Sequence, residues 1–158
     1  MYIVGVDIAK RSHEAVIIDT NGNIVRKAFN FKNNSQGFKE FVNELNAISS
    51  DRKDFVIGME STSHYWLTIY SNLRKLGYKV EVFNPIQSNA LRGMYIRQVK
   101  NDEKDSFVIA EVIRFGRYTK GGMPPSDLFE LRELCRARSF IVDMTADLKK
   151  KVISLLRE

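Results

Sequence analysis

Four carboxylates stand where they can do chemistry together. Asp7 closes the short apolar run that begins at Tyr2, and Glu60 follows the apolar run Phe55 to Met59. Asp102 and Asp105 lie three apart in the segment KNDEKDSF, at what reads as a helix start. A carboxylate at the end of a buried strand projects into the crevice outside the strand ends, where open α/β sheets bind ligands. Spacing of three on a helix puts two side chains on one face, close enough to share a cation. Each residue also has a plainer account. Asp7 can form a turn with its own backbone, Glu60 can merely precede a helix, and an acidic pair at a helix start complements the helix dipole. The combination argues for more. Two strand-end carboxylates and a helix-start pair make an all-oxygen, hard-ligand set suited to Mg2+ or Mn2+. Two such ions ~4 Å apart can clamp the attacking and leaving oxygens of a phosphodiester during in-line displacement.

The elements that must position these groups follow from periodicity. Tyr2 to Asp7, His13 to Asp19 and Ile24 to Phe31 read as strands, and Thr20-Asn21-Gly22-Asn23 between the last two is a hairpin signal. Ser35 is expected to cap a helix running to about Ile48, with Phe38, Phe41, Val42 and Leu45 on one face. Phe55 to Met59 is continuously apolar, as in a strand buried on both faces. A second helix is expected from about Ser63 to Leu76, stopped by Gly77, then a strand at Val80 to Phe83 and a short helical segment opened by Pro85. Asp102 to Arg117 reads as one helix, ended by Gly121-Gly122 and Pro124-Pro125. This order predicts an α/β fold with a mixed sheet and helices on its faces. From Ser126 a last helix runs on without a breaker. Leu134, Ile141, Leu148 and Leu155 recur every seven residues, while the companion positions Leu131, Arg138, Thr145 and Val152 are half polar. That helix stops at Glu158 without a C-cap, so the chain is expected to be part of something longer.

Composition narrows the class. The chain has 158 residues, 44% hydrophobic and 28% charged, which suits one globular domain plus a long helix. No stretch approaches the ~20 apolar residues that span a bilayer, and the N-terminus lacks the basic region of a signal peptide. Cys135 is the only cysteine, which excludes internal disulfides and cysteine-rich zinc sites and fits a reducing, cytoplasmic compartment. The net charge of +6 favours a polyanionic partner. Lys10, Arg92, Arg97, Lys100 and Lys104 flank the acidic motifs, and as a cluster they are candidate phosphate clamps. His13 and His64 have no paired spacing and read as surface or structural residues. Tyr65 and Trp66 read as helix packing, Ser61 to Ser63 as caps rather than nucleophiles.

Three segments, GVDIAK with its hairpin, GMESTSHYW and VKNDEKDS, resemble in this order and spacing the DEDD transposases of the insertion-sequence one-ten family. The likeness covers essentially the whole chain. It implies an RNase H-like (RuvC-like) domain with a five-stranded mixed sheet over 1–122 and the start of a coiled-coil helix over 123–158. It places the catalytic, metal-binding tetrad on Asp7, Glu60, Asp102 and Asp105. It also implies Mg2+ (or Mn2+) dependence, DNA as substrate and guidance by a structured RNA, in a nucleoid-associated protein, while the stripe of Leu134, Ile141, Leu148 and Leu155 itself predicts a homodimer or higher oligomer through the C-terminal helix. Two departures stand out. Ser106 occupies a position where the family usually has alanine, and the C-terminal domain that supplies a catalytic serine is absent from this chain. Three other readings remain. A sugar kinase or actin-like ATPase shares the opening strand, Gly-x-Asp and hairpin, but it needs a second glycine-rich phosphate loop. A stand-alone junction resolvase would use the same fold without the long helix. A non-catalytic nucleic-acid-binding module would need no paired metal site.

Overall fold

The computed structural model describes residues 1–62, 64–95, 104–116, 118–119 and 126–156. The chain divides into two compact units, Met1–Gly122 and Met123–Glu158. The first is built on β1 (Tyr2–Asp7), β2 (Ser12–Asp19) and β3 (Ile24–Lys32), consecutive antiparallel strands. Asp19 organises the turn between β2 and β3. Its carboxylate accepts the N–H groups of Asn21 at 2.8 Å and Asn23 at 2.9 Å, and Gly22 takes a φ of 89°, a left-handed conformation that only glycine adopts without steric cost.

β4 (Phe55–Glu60) pairs with β1 in parallel, and β5 (Lys79–Phe83) pairs with β4 in parallel, giving the order β3-β2-β1-β4-β5. Every residue of β4 is buried, as a strand covered on both faces requires. The mixed five-stranded α/β sheet expected from the sequence is the one that forms.

Alternation along the strands divides the core in two. Val4, Val6, Ile17, Ile57, Met59 and Val80 pack with Phe41 and Leu45 of α1 (Ser35–Ile48) and with Trp66, Ile69 and Leu73 of α2 (Trp66–Lys75). Ile3, Val16, Ile18, Val56 and Phe83 point the other way. They pack with Ile109, Ala110, Val112 and Ile113 of α4 (Lys104–Phe115), which follows α3 (Pro85–Tyr95). Two glycines, paired across β1 and β4, let α4 come close. A Cβ on Gly5 would lie 1.9 Å from the Ser106 carbonyl oxygen, and one on Gly58 2.4 Å from Ile113 Cγ1.

Several helix boundaries differ from the sequence-based expectation. Asn34, not Ser35, caps α1, its side chain accepting the Gly37 N–H at 2.8 Å. α2 begins at Trp66 with no side-chain cap, and the Ser61 N–H donates to the Phe83 carbonyl at 2.9 Å; Ser63, the expected start, lies outside the described residues. α4 ends at Phe115, before Gly116 with its φ of 67°, whereas the expected end was Arg117; Arg117 and Gly121-Gly122 lie outside the described residues. A 3-10 turn at Arg52–Asp54, capped by Asp51, was not anticipated. The second unit is α5 (Ser126–Leu155), a 30-residue helix. Leu134, Ile141, Leu148 and Leu155 are all exposed along it. No helix among the described residues is long and apolar enough to cross a membrane.

Candidate functional site

Asp7 and Glu60 end neighbouring parallel strands, one step beyond the register pair Val6 and Met59. By strand alternation both side chains lie on the α4 face, in line with Gly5 and Gly58. Glu60 is only 4% exposed. A carboxylate so buried is costly unless hydrogen-bonded, and its Oε1 accepts the Ser88 hydroxyl of α3 at 2.5 Å. The same hydroxyl lies 2.8 Å from the Pro85 carbonyl, which fixes Ser88 on its own helix turn.

Asp105 is exposed in the first turn of α4, and Ser106 beside it is fully buried. The Ser106 hydroxyl donates to Glu14 Oε1 at 2.9 Å. Glu14 is in turn the register partner of Asp7 across the β1–β2 ladder. The rim at the C-terminal ends of β1 and β4 thus carries Asp7, Glu60 and the neighbouring Glu14, with the Asp105 end of α4 tied to it through Ser106. Asp102 lies outside the described residues. Among those described, no group of three or more His, Cys, Asp or Glu side chains is arranged to hold a metal ion.

Of the expected phosphate clamps, Lys10 is exposed in the loop after β1, and its carbonyl accepts the Asn33 side-chain amide at 3.2 Å. The backbones of Arg92 and Lys104 belong to α3 and α4. Their side chains, like Arg97 and Lys100, lie outside the described residues.

His13 sits on the opposite face of the sheet. It is 2% exposed, packs edge-on against Phe31 at 5.2 Å and accepts the Ala9 N–H through Nδ1 at 3.2 Å. Burial lowers its pKa, against the opposing pull of the Asn33 hydrogen bond and the Asp7 charge. It shapes the loop after β1. A cleft of about 700 Å³ opens on this same face, between α1 and α2, and includes Phe38, Val42, Asn72 and Lys75. Among the described residues no carboxylate lines it. His64 packs against Tyr65 at 4.3 Å, and Trp66 is buried in the core as expected.

Sequence reasoning missed Glu14 and Ser88. Glu14 had a signal, because it alternates with Val16 and Ile18 on a buried face, where a charge needs a partner. Ser88 had none.

A family model described as Transposase, of the IS110 DEDD type, matches residues 4–158. The chain belongs to this DEDD transposase family. The transposase chain is 27% identical over 157 residues to a Streptomyces coelicolor mini-circle protein assigned as the transposase for IS117, covering 98% of this chain and 37% of that protein. It is also 27% identical over 107 residues to the pilin gene-inverting proteins of Moraxella bovis and Moraxella lacunata, covering 68% of this chain and 32% of each of them. The transposase chain therefore spans about a third of the length of these curated relatives. Among solved structures it resembles Thermus thermophilus RuvC in complex with a Holliday junction substrate, with a TM-score of 0.53 and 12% identity over 77% of this chain and 99% of that one. The fold of the transposase chain is RuvC-like, of the RNase H type.

Proposed function

We propose that this chain is the metal-dependent catalytic domain of a DNA transposase or recombinase, with Asp7, Glu60, Asp102 and Asp105 as its ligand set. The observation that carries the reading is the placement of Asp7 and Glu60 at adjacent parallel strand ends, on the face that α4 covers with Asp105 in its first turn. The donor set fits a hard divalent cation, being all oxygen. Bound there, Mg2+ or Mn2+ supplies Lewis acidity at the scissile phosphate and a nucleophile activated at neutral pH. The chain's own residues do the positioning. Ser88 aims Glu60, α4 presents Asp105, and Lys10, Arg92, Arg97, Lys100 and Lys104 hold flanking phosphates of insertion-sequence and target DNA. A structured guide RNA and self-association through α5 complete the reading, in a protein that works on the DNA of the nucleoid.

Carboxylates gathered in one site repel one another until a cation neutralises them. Saturating Mn2+ is expected to raise the melting temperature by about 5 °C or more, since the unfolded chain has no preformed site. Alanine at any one of the four positions removes that gain and leaves the metal-free fold intact. A thermal-shift series on the four single variants, with and without Mn2+, checks this. Equal metal responses in wild type and all four variants would show that these residues are not a site.

A further inference from the structure

We propose that Glu14 and Ser106 form a positioning pair that fixes the seating of α4 on the sheet and, with it, the place of the Asp105 carboxylate. This rests on the metal-site reading above. Ser106 is 0% exposed, and its hydroxyl donates to Glu14 Oε1 at 2.9 Å between residues far apart in sequence. The acceptor is not at an arbitrary point of the sheet. Glu14 is the register partner of Asp7, so the bond anchors α4 beside the strand end that carries the first carboxylate. The donor is equally well placed, because Asp105 is its immediate neighbour in the first turn of the helix.

The close approach and the apolar contacts of α4 do different work. Gly5 and Gly58 set how closely the helix approaches. Ile109, Ala110, Val112 and Ile113 supply apolar contact, but such attraction is non-directional and resists sliding or rotation only weakly. A hydrogen bond to a carboxylate is directional and stronger than a neutral one. A turn of one residue about the helix axis, roughly 100°, would break the bond and swing Asp105 away from the rim.

Three variants of the full chain separate the roles. Ser106→Ala removes the donor, Glu14→Ala removes the acceptor, and Glu14→Gln keeps an amide oxygen as acceptor while removing the charge. Amide hydrogen exchange of residues 105–109 without metal reads the seating directly. It is expected to speed up about fivefold to tenfold in both alanine variants and to stay near wild type in Glu14→Gln. The Mn2+ concentration at half-maximal thermal shift is expected to rise about tenfold in the alanine variants, as for other groups that orient a metal ligand, and to be restored by glutamine. Unchanged exchange in Ser106→Ala and Glu14→Ala would overturn the pair. Faster exchange with an unaltered Mn2+ midpoint would overturn its role in placing Asp105. Loss of the metal response in Glu14→Gln, with exchange at the wild-type rate, would make Glu14 a ligand and end the positioning role. Absence of any Mn2+ response in wild type would overturn the metal site itself and the function proposed for the pair, and the exchange arm would still tell whether the seating bond exists.

Discussion

Three buried or half-buried titratable side chains near the loop after β1 are held in different ways. Glu60 and Glu14 each accept a serine hydroxyl, from Ser88 and Ser106. His13 is instead kept neutral. Its Nδ1 accepts a backbone N–H, and burial is the largest influence on its pKa, pushing it below 6.5. The sign of the effect on stability follows. Above pH 6.5 the imidazole is neutral in both folded and unfolded chains, and the full contribution is present. As pH falls below that value, the unfolded chain takes up a proton that the folded one refuses, and stability is lost. Urea unfolding at a series of pH values is expected to show a fall in stability on acidification below about pH 6.5 that is shallower in His13→Phe. An identical slope in the variant would remove His13 from the account.

At the scale of elements, α4 and the glycine pair beneath it decide where the site can form. Gly5 faces the backbone of α4, with the Ser106 oxygen and Ala110 nitrogen both within 2.5 Å of where a Cβ would sit. Neither atom can rotate away as the end of a side chain can. Gly5→Ala is therefore expected to cost at least about 2 kcal/mol by forcing the helix off the sheet. It should also weaken the Mn2+ response, since Asp105 travels with the helix. Denaturant unfolding together with the metal titration checks both, and an unperturbed midpoint in each would show that α4 accommodates the methyl group. Much of this level was legible in the sequence. The apolar run before Glu60 read correctly as a strand buried on both faces, and Asn21-Gly22 gave the hairpin. What escaped reading were choices between neighbours of similar chemistry. Asn34 and Ser35 are both competent caps, and only the path of the chain out of β3 selects Asn34. Gly116 ends α4 because its backbone turns left-handed there, where the denser Gly and Pro signal downstream looked the stronger stop. The bond between Glu14 and Ser106 joins two segments with no local pattern in common, so no window of sequence contains it.

For the molecule as a whole, α5 raises the question of assembly. Leu134, Ile141, Leu148 and Leu155 are each more than 60% exposed, and such a stripe generally finds a partner. The polar companion Thr145 is less disruptive than its type implies, because its hydroxyl donates to the Ile141 carbonyl at 2.7 Å and is satisfied within its own helix. Self-association is expected in sedimentation equilibrium, with Leu148→Asp weakening it by about 2 kcal/mol or more per helix. A monomer at high concentration that is indifferent to the substitution would contradict this. The seating of α4 has a different consequence, one of timing. All five strands precede α4 in the chain, so on the ribosome the sheet can pair and close against α1 and α2 while its other face waits. Ile3, Val16, Ile18, Val56 and Phe83 stay bare until Ile109 to Ile113 have been made. At ~5–20 residues per second, the roughly 30 residues from Phe83 to Ile113 take a few seconds to synthesise. A chain released within that interval carries an adhesive apolar face and lacks the helix that brings Asp105 to the rim. Premature termination here yields a species that chaperones and proteases would recognise, and one in which the proposed metal site cannot form.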